Sequence, residues 1–237
     1  TYPPVRIEKN LKKIITVHDL TWWKYPETSS FLGKNYYKKN MERAIISSDL
    51  VICPSHAIKN QVNEKFSIPH EKINVIPHGN SLPQGNTKTI NKPYFLSIGT
   101  VEPRKNLDFY SEAIKKSNLE SDFDFLHAGR IGWAKLPENL KLTNIKDDQD
   151  LADLITNARA VVIPSLYEGF GLPVLEAHSQ GVPVIMSNVE SLQELSNKQD
   201  KIFELNNIES FVNSLLHFSR NGQKLENGLI VFFIVMP

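Results

Sequence analysis

The stretch Val161-Val162-Ile163-Pro164-Ser165-Leu166-Tyr167-Glu168-Gly169-Phe170-Gly171-Leu172-Pro173-Val174-Leu175-Glu176, continued to Asn188 as AHSQGVPVIMSN, decides the fold. An apolar β-branched run opens it, two glycines and a proline follow, and a second apolar run, Val182 to Met186, closes it. This reads as strand, glycine turn, helix, strand. Ligands of open α/β sheets bind at such strand-to-helix turns. Glycines let the backbone approach a ligand closely, and amides at a helix start favour negative charge. Pro173 suits the first helical position, where its missing N–H costs nothing. That places Glu176 in the first turn, where the helix dipole stabilises a carboxylate. Glu168 stands at the mouth of the turn. A carboxylate on each side of an anion-binding turn fits a ligand that is both a phosphate ester and a polyol, such as a nucleotide sugar.

Working outward, apolar runs alternate with helix-period stretches along the whole chain. Strands are expected at Lys13 to Val17, Leu50 to Cys53, Ile73 to Ile76, Tyr94 to Ile98, Phe123 to Ala128, Val161 to Ile163, Val182 to Met186 and Ile202 to Leu205. Helices are expected at Asn35 to Ser48, from a Ser55 cap to Phe66, at Asn106 to Lys116, Asp150 to Asn157, from Pro173 onward, and at Ile208 to Phe218. Such alternation implies parallel sheets with right-handed crossovers. Asn80 to Lys92 is rich in Asn, Gly, Pro, Thr and Lys and reads as a linker. The expected organisation is a partial Rossmann-like domain at 1–79, the linker at 80–92, a second Rossmann-like domain at 93–219 that binds the nucleotide sugar, and an atypical tail at 220–237. The tail holds the apolar run Leu229 to Met236. The chain opens at Thr1 rather than Met, so the expectation is a fragment with an incomplete first domain.

Composition narrows the function classes. The 237 residues carry a formal net charge of +1, which gives nucleic acid no electrostatic footprint. The one cysteine, Cys53, excludes an intramolecular disulfide and a Cys-rich zinc site. No apolar run approaches the ~20 residues of a membrane helix, and Thr1 to Lys13 does not resemble a signal peptide. A cytoplasmic protein is expected, acting at the inner face of the membrane if it associates peripherally.

Other positions carry chemistry. Gly99-Thr100-Val101-Glu102-Pro103-Arg104-Lys105-Asn106 is again a strand end, a turn and a helix start. Two cations there suggest a diphosphate, Arg104 as a planar fork and Lys105 as a point charge; the alternative is a solvated basic pair. His18, after the strand Ile14 to Val17, would point into a ligand crevice or be a structural histidine capped by Asp19. Gly129 opens a loop, Gly129-Arg130-Ile131-Gly132-Trp133, that walls a nucleotide pocket or simply connects. Asp148-Gln149-Asp150 matches a metal-binding pair superficially, but a helix N-cap is the better reading. Gly169-x-Gly171 is no dinucleotide fingerprint, because Val174 holds the third glycine position. No Walker loop and no Ser-His-Asp triad are recognisable.

These residues resemble the retaining glycosyltransferases of family 4, the glycosyl transferases group 1. The resemblance rests on Ser97 to Asn106, Glu168 to Glu176, Val17-His18-Asp19-Leu20, Val51-Ile52-Cys53-Pro54-Ser55 and Val75-Ile76-Pro77-His78-Gly79. Its flavour is that of the mannosyltransferase-like branch that builds bacterial surface polysaccharide. It implies the GT-B fold, with the donor in the cleft between two Rossmann-like domains. It also implies a nucleotide-diphosphate sugar as donor, no cofactor, no bound metal, a glycan or lipid-linked acceptor, and transfer with retention. By that likeness Glu176 holds the ribose and Glu168 faces the donor sugar. Arg104 and Lys105 neutralise the leaving diphosphate, and His18 lies near the transferred sugar. The backbone of Gly169, Phe170, Gly171 and Leu172 donates to sugar or phosphate oxygens, and Gly99, Thr100 and Gly129 line the donor site. Competing readings are a GT-B sugar-nucleotide epimerase and a non-catalytic nucleotide-sugar-binding fragment.

Overall fold

The computed structural model describes residues 11–26 and 34–220, with side chains of 34–39 excepted. The apolar tail expected at Leu229 to Met236 lies outside the described residues. The chain divides into two compact units. One runs to His78 and includes Tyr167 to Phe170. The other spans Gly79 to Leu166 and resumes at Gly171.

The first unit carries β1 (Ile14–Thr16), β2 (Leu50–Cys53) and β3 (Ile73–Val75) in a parallel sheet of order β1-β2-β3. Its helices are α1 (Thr21–Lys24), α2 (Lys34–Ile46) and α3 (His56–Phe66). Met41 and Ile45 from α2, Ile58 and Val62 from α3, and Val51 and Cys53 from β2 are all buried in one core. Burial pushes the Cys53 thiol up to about 12, so it packs as a small apolar side chain. Ser55 caps α3 by accepting from the Ile58 amide.

The second unit carries β4 (Tyr94–Ile98), β5 (Asp124–Ala128), β6 (Lys141–Thr143), β7 (Ala160–Ile163), β8 (Val184–Ser187) and β9 (Lys201–Phe203). All pairs are parallel, in the order β6-β5-β4-β7-β8-β9. The order runs outward in one direction from β4 and in the other from β7, so the topology switches between these two strands. β7 and β8 are buried at every position, as central parallel strands covered on both faces must be. The helices are α4 (Leu107–Ser117), α5 (Asp148–Thr156), α6 (Leu172–Ser179), α7 (Glu190–Gln193) and α8 (Ile208–Arg220). α4 and α8 pack together over a core that includes Tyr110, Ile114, Phe211 and Leu215. There the Phe203 and Phe211 rings stack at 3.9 Å.

Three details depart from the sequence reading. β6, the edge strand, was not expected. Asp147, not Asp148 or Asp150, caps α5, its Oδ1 accepting from the Asp150 amide at 2.9 Å. α6 begins at Leu172, because Gly171 takes the cap in the left-handed conformation, φ 109°. Pro173 is therefore the second helical residue, and Glu176 falls in the second turn rather than the first. The span 80–92 has no regular structure and is held by side chains of the second unit. The Gln180 side chain accepts from the Gly85 amide at 2.8 Å, and Asp153 accepts from the Asn86 amide at 2.8 Å. Lys88 pairs with Asp153 at 2.7 Å. The Asn86 amide first, then Lys88 and Gln149, hold the Asp153 carboxyl well below its usual range.

Candidate functional site

The loops that leave β4 and β7 meet at the switch point. The Leu166 amide, beyond β7, donates to the Arg104 carbonyl, beyond β4, at 2.8 Å. Candidate residues Gly99, Thr100, Arg104, Lys105, Gly129, Gly171, Leu172 and Glu176 all belong to this second unit. Gly99 and Gly129 terminate neighbouring strands. A side chain at Gly129 would put its Cβ 1.8 Å from the Gly99 carbonyl oxygen, so the two loops approach as closely as backbones can. Val101 and Ile131 continue the contact as an isolated parallel bridge.

The cationic pair is not equivalent. Arg104 directs its Nε to Glu102 Oε1 at 2.7 Å, and the two side chains are only 21% and 8% exposed. Its charge is thereby partly neutralised and its fork held in place. Lys105 folds back over the strand end: a Cβ built on Gly99 would lie 3.0 Å from its Cε and 3.3 Å from its Nζ. The Lys105 charge reaches two further groups, pulling the Glu176 carboxyl down and disfavouring a proton on His127. The sequence reading paired Arg104 with Lys105. In the structure one belongs to a buried ion pair, and the other carries the field of the turn.

Glu176 is partly buried on α6. Its carboxyl is raised above the ordinary value of 4.5, chiefly by burial, then by the Asp148 charge, with Lys105 acting in the opposite sense. Beyond the first turn of α6 the helix dipole contributes little to Glu176, and desolvation dominates. At the start of α6 Pro173 has no N–H and the Val174 amide donates to the Gly171 carbonyl at 2.9 Å, so the amides that face the turn are those of Gly171 and Leu172, and Gly171 offers no side chain to cap them. They form a donor set at the switch point suited to an anion. A consequence for stability follows from sign. The folded-state value of Glu176 lies above the unfolded one, so ionisation opposes folding. The penalty is absent below pH 4.5 and appears as pH rises through the folded-state value. Glu176→Gln is expected to raise the melting temperature at pH 7 and to change nothing at pH 4, while weakening nucleotide binding. Calorimetric melts at the two pH values check it.

His127 was missed in the sequence. It is 1% exposed, sits on β5 in register with Ser97, and reaches both Ser97 Oγ (2.8 Å from Nδ1) and the Gly99 carbonyl (2.9 Å from Nε2). Because a carbonyl only accepts, Nε2 carries the proton. Burial lowers its affinity for a second proton, and so does Lys105. The signal was present: Ser97-Ile98-Gly99 and His127-Ala128-Gly129 place a polar residue two positions before each strand-ending glycine.

His18, Glu168, Gly169 and Phe170 belong to the first unit. His18 Nδ1 lies 3.3 Å from His78 Nε2, the two rings stacked with centroids 5.3 Å apart. Phe170 meets His78 edge-on at 5.1 Å. The segment is pinned in several ways. Tyr167 Oη accepts from the Leu20 amide at 2.9 Å and donates to Gln61 at 2.8 Å. Ser55, besides capping α3, donates to the Gly169 carbonyl at 2.7 Å. A Cβ at Gly169 would lie 2.0 Å from the His18 carbonyl oxygen, so only glycine fits. Glu168 is 9% exposed, not the solvated loop carboxylate that sequence alone allowed. His78, burial and His18 both disfavouring its charged form, is a neighbour of His18 that the sequence reading assigned no role. Among the described residues no group of three or more His, Cys, Asp or Glu could hold a metal ion. Among them, too, no helix is long and apolar enough to cross a membrane.

Comparison with known proteins agrees with this geometry. The family model for glycosyl transferases group 1 matches residues 81–229, and that for Glycosyltransferase Family 4 matches residues 2–82. The chain is 28% identical over 234 residues to the O-antigen chain mannosyltransferase B of Escherichia coli, covering 88% of this chain and 61% of that protein. It is 29% identical over 193 residues to the O-antigen chain mannosyltransferase RfbU of Salmonella typhimurium, covering 76% and 53%. It thus spans between half and two thirds of the length of these relatives. Among solved structures it resembles the sucrose-phosphate synthase of Thermosynechococcus elongatus, with a TM-score of 0.73 at 19% identity, covering 88% of this chain and 59% of that one. It also resembles Anabaena Alr3699/HepE in complex with UDP and glucose, with a TM-score of 0.68 at 16% identity, covering 88% and 61%. These structural likenesses are of fold, the GT-B type built on Rossmann-like parallel sheets.

Proposed function

The chain belongs to the glycosyl transferases group 1 family, and from that premise we propose that it is the donor-binding portion of a hexosyltransferase. In this reading it takes a sugar from a nucleotide-diphosphate donor and passes it to a glycan or lipid-linked acceptor with retention of configuration. One observation carries the reading. The second unit converges Lys105, Glu176 and the α6 N-terminus on the point where its strand order reverses, and there an anionic, hydroxyl-bearing ligand finds a cation, a carboxylate and the Gly171 and Leu172 amides together. Glu176 accepts from the ribose diol. Lys105, backed by Arg104, meets the charge that grows on the departing diphosphate. Glu168 and His18 address the sugar. Mannose is the proposed sugar, on the strength of the mannosyltransferase relatives, and surface polysaccharide synthesis at the cytoplasmic face of the membrane is the proposed setting.

The test is transfer of labelled sugar from mannose and galactose nucleotides to a lipid-linked glycan, with the anomeric configuration of the product read by NMR. The reading expects a retained mannosyl linkage, formed also in excess EDTA because Lys105 and Arg104 supply the positive charge. Epimerised nucleotide sugar without acceptor would show an epimerase. Binding without transfer or epimerisation, from a full-length protein, would show a binding module.

A further inference from the structure

Ser97 and His127 face each other across β4 and β5, each 1% exposed. A serine–histidine pair is an expensive occupant for the middle of a parallel sheet, and it is tolerated only when every polar atom is satisfied. Here every one is. Nε2–H donates to the Gly99 carbonyl at 2.9 Å, which leaves Nδ1 an acceptor, and Ser97 Oγ–H lies 2.8 Å from Nδ1 and 3.3 Å from the Leu126 carbonyl, the shorter contact being to the ring. The neighbouring β7 fills equivalent space with Ala160, Val161, Val162 and Ile163, so the sheet itself has no need of the pair. What the pair fixes is the orientation of one peptide, Gly99–Thr100. In a planar trans peptide the C=O and the following N–H point in opposite directions. With the carbonyl drawn inward to His127, the Thr100 N–H faces out from the strand end. Gly99, at φ 134°, has no Cβ to restrain its own side of this peptide. Flipped, the same peptide would aim its carbonyl, the negative end of a dipole, at whatever anion Lys105 attracts.

We propose that His127 is a positioning residue for the anion-binding turn: through the Nε2–H bond it locks the Gly99–Thr100 peptide so that the Thr100 amide is presented to a phosphoryl oxygen of the donor, and Ser97 fixes the tautomer that makes this bond. The proposal rests on the donor-site reading above and adds to it a residue, a tautomer and the group addressed.

The test uses the 237-residue chain and calorimetric titration with UDP and GDP, with thermal melts alongside. His127→Leu removes the donor to Gly99 and is expected to weaken nucleoside-diphosphate binding about five- to tenfold, the scale of one hydrogen bond. His127→Gln carries an amide N–H that reaches as far as Nε2, and is expected to restore affinity to within about twofold of the parent. His127→Asn ends at the position of Nδ1, cannot reach Gly99, and is expected to behave like leucine. The glutamine–asparagine comparison decides the matter even if the leucine variant does not fold. A merely structural histidine would shift the melts without separating the two amides in affinity. Lys105→Ala is the control for the underlying reading. If it binds as the parent does, the donor site itself is misplaced. If it loses binding while His127→Asn and His127→Gln bind equally, the donor site stands and the role given to His127 is overturned.

Discussion

Replacing Lys105 with alanine is expected to lower the rate of sugar transfer by about 10²–10³-fold with little change in the melting temperature. The side chain lies over Gly99, and its charge acts on both Glu176 and His127. Arg104 holds Glu102 through Nε, and Lys105 is the cation whose charge acts on both of those groups. A charge that meets a leaving diphosphate is worth most in the transition state, where the negative charge is largest. The loss should therefore fall mainly on kcat, with a smaller rise in KM. Lys105→Arg should recover only part of the rate, since a planar fork does not reproduce a compact ammonium. Steady-state kinetics of the full-length enzyme check both. A variant with the parent kcat and a lowered melting temperature would make Lys105 a structural residue.

Asp200→Ala is expected to destabilise the protein by about 2–4 kcal/mol, because it orphans several buried donors at once. Asp200 is 8% exposed and accepts from the Val184 amide at 2.9 Å, the Asn197 amide at 2.8 Å and His178 Nε2 at 3.0 Å. His178 lies two residues beyond Glu176 on α6, so this carboxylate ties the helix that carries the candidate ribose ligand to the start of β8. Denaturant unfolding measures the loss. Nucleotide affinity should weaken as well, because α6 loses one of its anchors; a variant that unfolds at the parent's denaturant concentration would contradict this account of the packing.

The sequence made most of the second unit legible for a physical reason. Its central strands are buried on both faces and so read as unbroken apolar runs, as at Val161 to Ile163. The glycine turn after β4 stood out because Gly99 follows the strand directly, and the one after β7 because Gly169 and Gly171 lead into Pro173. What escaped was information that exists only in pairing. Lys141 to Thr143 is a three-residue edge strand with Leu142 half exposed, and nothing in those residues alone separates it from a loop. Pro173 suggested where α6 begins, but Gly171 in the left-handed conformation starts it one residue earlier and moves Glu176 out of the first turn. His127 looked like an isolated polar residue until register placed it against Ser97. His178 and Asp200, 22 positions apart in sequence, carry no local signature at all. In the first unit, Ser55 was readable as a cap, but its second bond, to the Gly169 carbonyl, joins residues 114 positions apart. The separate duties of Arg104 and Lys105 likewise depend on a turn that sends adjacent side chains in different directions.

The central claim is that the reversal point between β4 and β7 holds a nucleoside diphosphate. Amide NMR of the 237-residue chain during titration with UDP and GDP tests it most directly. The account predicts that shifts concentrate in Gly99 to Lys105, in Gly129 and Arg130, and in Gly171 to Glu176, and that they are smaller in Lys105→Ala at the same nucleotide concentration. Shifts confined to the opposite end of the sheet, in the hollow lined by Thr87, Arg159 and Pro183, would contradict it.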